Sequence, residues 1–223
     1  MGYKISIDGP SGAGKGSVAK GLSERLDILN IDTGAMYRTL ALYCIENSIN
    51  VNDEKQVASI LKDVDIYLKN ENNQVKVFLN DVDVSQKIRT EQVGLVAAKV
   101  AHILDVREYM REKQRAMAQN QNAVAEGRDI GSVVFPDADL KIFLTATVET
   151  RADRRYKDML EKNKETTYDE VLEYIKQRDE LDRTRKISPL VKTEDMVEID
   201  NTNMSKVEVV DRVLELMKEK GLV

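Results

Sequence analysis

The chain has 223 residues, enough for one substantial α/β core with a small appended subdomain and too few for two full domains. Charged residues make up 33% of it, yet the net charge is only −5, so no global basic field argues for nucleic-acid binding. There is no Trp and there are only three Phe, which removes the stacking platforms of single-strand binders, and one cysteine, Cys44, excludes an intrachain disulfide.

The N-terminus enters a short alternating β run, Tyr3–Ile7, at once. No basic leader precedes it, and no apolar stretch approaches the ~18 residues that span a bilayer, so a cytoplasmic protein without membrane contact is expected. Directly after this run come Gly9, Pro10, Ser11, Gly12, Ala13, Gly14, Lys15, Gly16 and Ser17. The glycines let successive N–H groups turn toward one anion, Lys15 adds a full charge, and a helix over about 14–26 offers its N-terminal amides to the same phosphates. Strand, glycine loop and helix stand in the order that a phosphate-binding loop requires, so a nucleotide triphosphate is expected here. A glycine-rich turn that merely contains a lysine would not explain those flanks. The hydroxyl arrives one residue late, at Ser17, because Gly16 intervenes; this spacing resembles nucleoside monophosphate kinases more than GTPases or motor ATPases.

A second apolar run, 28–31, ends at Asp32-Thr33-Gly34, where a helix over 34–47 begins. Open α/β sheets bind ligands at the carboxyl ends of their strands, so Asp32 is placed to orient a water on Mg²⁺, Thr33 to offer a hydroxyl, and Tyr37 and Arg38 to project one turn later. For Thr33 alone, helix capping explains the residue equally well. After a helix over 53–62 the rhythm changes: Val64–Leu68 and Val75–Leu79 alternate about the turn Asn70-Glu71-Asn72-Asn73 and predict a hairpin, with Val82–Val84 as a third short strand. A long helical pattern follows over 90–119; it contains the only histidine, His102, which reads as a surface or helix-packing residue rather than a catalyst.

The run 123–126 leads into Glu126-Gly127-Arg128-Asp129-Ile130-Gly131. Guanidinium suits a phosphate and carboxylate suits amino or hydroxyl donors, so Arg128 and Asp129 could serve two parts of one ligand. Beyond a strand at 140–146, helices over 148–163 and 167–182 carry Arg151, Arg154, Arg155 and Arg178, with Arg183 and Arg185 just after them and lysines 157, 162 and 164 toward the tip. A helical hairpin with arginines near its ends suits a lid that closes over phosphates; salt bridging such as Arg178 with Asp182 accounts for about half of these charges. A strand at 196–200 and a helix at 204–219 complete the chain. The five apolar runs alternating with helices predict a parallel sheet covered on both faces.

There is no N-K-x-D guanine motif and no strand ending in paired acidic residues. No candidate general base is evident either, which fits an acceptor that is already an anion, where positioning and charge neutralisation do most of the work.

Together these segments resemble the bacterial cytidylate kinase family of nucleoside monophosphate kinases. The resemblance rests on Ile7–Gly16, Asp32–Arg38, Ile88-Arg89-Thr90, Gly127–Gly131, Val134–Ala138, and Arg178-Asp179 through Asp182-Arg183 and Arg185, and it covers essentially the whole chain. It implies an α/β P-loop three-layer fold with a five-stranded parallel sheet, an antiparallel β insertion and a helical lid. It further implies one kinase unit: core 1–33, 120–150 and 184–223, monophosphate-binding region 34–119, lid 151–183. The implied reaction passes the γ-phosphate of ATP to CMP or dCMP with Mg²⁺, in a cytoplasmic enzyme expected to be a monomer. By the same resemblance, Lys15 and the loop hold ATP and Ser17 helps place the metal. Thr33, Arg107 and Asp129 contact cytosine, and Tyr37 packs near the nucleotide. Arg38, Arg128 and Arg185 bind the acceptor phosphate, Asp182 with Arg185 the sugar side, and Arg151, Arg155 and Arg178 belong to the lid. The chain departs from the family at Ala98, where a serine can contact cytosine. A kinase for another small acceptor such as UMP, or a non-catalytic nucleotide switch, are the competing readings.

Overall fold

The computed structural model describes residues 2–71, 74–161 and 165–223. In chain order its elements are β1 (Lys4–Asp8), α1 (Lys15–Leu26), β2 (Leu29–Asp32), α2 (Thr33–Glu46), α3 (Glu54–Ile60), β3 (Ile66–Glu71), β4 (Gln74–Leu79) and β5 (Val82–Asp83). There follow α4 (Glu91–Val100), α5 (Leu104–Met117), β6 (Ala123–Gly127), β7 (Leu140–Thr145), α6 (Val148–Glu161), α7 (Tyr168–Thr184), β8 (Val197–Asp200) and α8 (Lys206–Glu219). Five strands form a parallel sheet in the order β2-β6-β1-β7-β8, and β3-β4-β5 form a separate antiparallel sheet. The expected α/β architecture and inserted hairpin are both present. Asn72 and Asn73 of the expected turn, and lysines 162 and 164 of the expected lid tip, lie outside the described residues.

The chain divides into two compact units, one built on Ile28–Ala123 and the other on Tyr3–Asp27 with Val124–Val223. In the first, α2 buries Met36 and Leu40 completely and packs against α4 and β4. The hairpin pairs Ile66 with Leu79 and Leu68 with Val77, which puts the apolar set of each strand on one buried face. The long helix expected over 90–119 is two helices. After Val100 the chain closes with short bonds, His102 N–H to the Lys99 carbonyl and Ile103 N–H to the Val100 carbonyl, and Ile103 turns extended before α5 starts. Both Val100 and Ile103 are buried, so tertiary packing breaks a helix in which no Gly or Pro marks the break.

In the second unit, β1 and β7 run side by side with Ile5 opposite Leu140 and Ile7 opposite Ile142, all at most 1% exposed. Ser6 and Asp8, on the other face of β1, are equally buried, as expected for a strand covered on both sides. The hairpin α6/α7 has its own small core of Ala152, Val171 and Ile175, with Tyr156 and Tyr168 meeting edge to face at 6.2 Å. A capping box at Thr167, closed by Glu170, fixes the start of α7.

Candidate active site

The glycine loop leaves β1 at Gly9, where a Cβ would lie 2.0 Å from the Leu144 carbonyl oxygen, so only glycine lets the chain pass β7. At Gly12 the backbone has φ +76, and a Cβ would press on Arg151. Lys15 opens α1, is 5% exposed, and its Nζ donates to the Pro10 carbonyl at 2.8 Å across the loop. Burial, reinforced by the Arg128 charge, pushes this ammonium down to about 7, against the pull of Glu126, Asp182 and Asp8. Ser17 is exposed on the first turn of α1.

Asp8, fully buried, accepts the Ile130 N–H on Oδ1 at 2.8 Å and the Gly131 N–H on Oδ2 at 2.7 Å. One carboxylate thereby ties the start of the phosphate loop to a π-turn, Ile130–Val134, that follows Arg128-Asp129. Burial drives its pKa up to about 6, more than those two N–H bonds lower it.

Around this junction the arginines gather on carboxylates. Arg128 Nε donates to Asp182 Oδ2 at 2.7 Å, and Arg178 Nε lies 3.5 Å from the same oxygen. Arg185 Nη2 stands 3.6 Å from Asp129 Oδ1. Burial works to raise the Asp182 carboxyl, but Arg128, Arg178 and Arg185 together outweigh it and hold it below the usual carboxylate range. Arg151, expected in the lid, donates to the Ser11 carbonyl of the phosphate loop at 2.8 Å and the Ala146 carbonyl at 3.0 Å, and pairs with Asp179 at 2.6 Å. Asp179 in turn accepts the Ser11 N–H, so a buried ion pair grips one loop residue on both its backbone groups. Arg155 lies over the Tyr174 ring at 4.6 Å, linking α6 to α7.

The other unit carries the remaining expected residues. Asp32 caps α2 by accepting the Ala35 N–H at 2.7 Å and pairs with Arg38 at 3.2 Å. Thr33 begins α2 and is buried; Tyr37 lies one turn on, its ring 6.0 Å from the guanidinium carbon of Arg107. Arg107 is 7% exposed and donates to the Ala101 carbonyl at 3.1 Å, the end of α4. Ala98 is half-buried on α4.

Sequence reasoning missed Asp8, Asp179 and Asn201. The backbone groups they hold, at Ile130, Ser11 and Ala13, lie between 122 and 188 residues away in the chain, so no local pattern announces those contacts.

The cytidylate kinase family model matches residues 5–219. A cytidylate kinase of Thermosipho melanesiensis is 47% identical over 220 residues, covering 99% of both chains. One from Clostridioides difficile is 45% identical over 210 residues, covering 94% of this chain and 95% of that one. Among solved structures, an uncharacterised protein from Eubacterium ventriosum superposes with a TM-score of 0.53 at 13% identity, over 98% of this chain and 99% of that one, which shows a shared fold. A family model spanning nearly all of the sequence and relatives close to half identical over nearly their full length agree with the motifs around the phosphate loop: the chain belongs to the cytidylate kinase family.

Proposed function

We propose that this chain transfers the γ-phosphate of ATP to CMP or dCMP, giving ADP and CDP or dCDP. The observation that carries this reading is the convergence of Arg128 and Arg178 on the buried carboxylate of Asp182 in the unit that holds Lys15. Such a cluster is an anion site whose cations are kept in place by an internal carboxylate until a phosphate arrives.

In this mechanism the loop amides and Lys15 take the ATP phosphates. Phosphate charge restores the full ammonium of Lys15, which then leaves the Pro10 carbonyl and stabilises charge developing on the transferred group. Arg38, Arg128 and Arg185 hold the acceptor phosphate, already anionic near neutral pH, so no general base is needed. Thr33, Arg107 and Asp129 read the cytosine with Tyr37 packed near the nucleotide, and Asp182 with Arg185 serves the sugar side. Arg151, Arg155 and Arg178 belong to a lid over 151–183, with 34–119 as the monophosphate-binding region. Mg²⁺, when bound with ATP, would supply further charge neutralisation. The exposed Ser17 hydroxyl suits it as a hard oxygen donor, and Asp32 keeps unshared lone pairs that could accept from one of its waters. The reading includes a monomeric, cytoplasmic enzyme.

An assay of ADP release with Mg-ATP and CMP, dCMP, UMP, AMP, GMP or dTMP tests it. CMP and dCMP should rank first; another acceptor ranking above both would overturn the specificity. Tight ATP binding with no acceptor-dependent turnover would favour a nucleotide switch.

A further inference from the structure

A loop that turns its N–H groups inward at an anion must turn carbonyls outward, and buried carbonyls need donors of their own. In this loop those donors are identifiable. Pro10 O accepts from Lys15 Nζ, Ser11 O from Arg151, and Gly14 O from the Val18 N–H of α1. Ala13 O accepts from Asn201 Nδ2 at 2.8 Å. Asn201 follows β8, is 3% exposed, and is held in turn by Arg154: Nη1 donates to its Oδ1 at 2.9 Å and Nη2 to its backbone carbonyl at 2.8 Å. These bonds fix which end of the Asn201 amide is the donor, because Arg154 can only donate.

We infer that Asn201, oriented by Arg154, is a positioning residue for ATP: it holds the Ala13 carbonyl outward so that the loop amides beyond it stay aimed at the phosphates. Arg151 and Arg154 lie three residues apart and thus on one face of α6, so one helix face supports the loop at both Ser11 and Ala13. The lid helix is thereby also the outer wall of the phosphate site. This inference rests on the proposed ATP-dependent activity for the identity of the ligand.

The test compares Asn201→Asp and Asn201→Ala in the full chain by calorimetric Mg-ATP titration without acceptor, then by KM for ATP and for CMP. Asn201→Asp keeps the shape and strengthens the pairing with Arg154, but sets a carboxylate oxygen against the Ala13 carbonyl. Asn201→Ala only removes the donor. ATP binding should weaken about tenfold in Asn201→Ala, the scale of one lost buried hydrogen bond, and further in Asn201→Asp. KM for CMP at saturating ATP should stay within about twofold for both, since the acceptor groups are untouched. A residue that only supports the fold would give the reverse order, with Asn201→Asp the milder change. ATP binding within twofold of wild type in both variants, or equal losses for ATP and CMP, would overturn the inference. Should neither variant fold, Arg154→Gln leaves Asn201 in place but unsupported; it should weaken ATP several-fold with CMP unchanged, and an unaltered ATP affinity there would be equally decisive against it. Because ATP binding is read without acceptor, a wild-type chain that binds ATP but fails to phosphorylate CMP would sink the proposed reaction while leaving this comparison intact.

Discussion

Replacing Asp182 by alanine should be among the most damaging single changes in the molecule. Its carboxylate is 4% exposed and receives Arg128 at 2.7 Å and Arg178 at 3.5 Å, so the variant leaves two guanidiniums converging on nothing. Breaking a buried pair by removing one partner costs about 3–5 kcal/mol. The side chains of Arg128 and Arg178 remain 20% and 27% exposed and keep some water, which argues for the lower end. A loss near 3 kcal/mol is a large share of the roughly 5–15 kcal/mol that holds a domain folded. With a urea slope of about 2 kcal/mol per molar, the midpoint should fall by about 1.5 M. Asp153→Ala is the control: its pair with Lys157 at 2.7 Å is about half exposed or more on both sides, and should contribute under about 0.5 kcal/mol. The pH dependence has a definite sign. Because the folded state holds the Asp182 carboxyl below its unfolded value, its contribution is present above about pH 4 and is lost as pH falls through the folded pKa. The gap between wild type and Asp182→Ala should therefore narrow in acid. A midpoint shift no larger than that of Asp153→Ala, or a gap that widens in acid, would refute the reasoning.

Lys15, pushed down to about 7 in the ligand-free loop, should regain its proton when phosphates arrive. Calorimetry of ATP binding at pH 8 in buffers of different ionisation enthalpy should report net proton uptake, absent in Lys15→Ala; no buffer dependence would contradict the placement of Lys15. Asp8, raised to about 6 when folded, contributes stability that is fully present below about pH 4 and is lost as pH rises through 6. In urea midpoints taken between pH 4 and 7, Asp8→Asn should lack that downward contribution, and an unchanged slope relative to wild type would count against the buried carboxylate. Ala98→Ser, which restores a hydroxyl at the position where the family can carry one, should raise the preference for CMP over UMP; an unchanged ratio would show that residue 98 does not meet the base.

The glycine loop and its flanks were readable from the chain because their constraint is local: a Cβ is excluded at Gly9 and a left-handed turn is needed at Gly12. The strands were readable as short apolar runs, and the hairpin by alternation. The helix break at residues 101–103 was not, since it is set by what Val100 and Ile103 pack into rather than by any breaker residue. The arginine series was only half legible. The pairing of Arg178 with Asp182 follows from helical spacing, and it forms. The assignment of Arg151 to the Ser11 carbonyl and of Arg154 to Asn201 depends on which carbonyls the folded loop turns outward, and no spacing along the chain encodes that.

The most direct test of the central claim follows both products of one turnover. With Mg-ATP and CMP, ADP and CDP should appear in equal amounts, and ADP release should fall to a small fraction of that rate when CMP is left out. ADP formed at the same rate without CMP, or ATP consumed with no CDP, would contradict transfer between the two nucleotides.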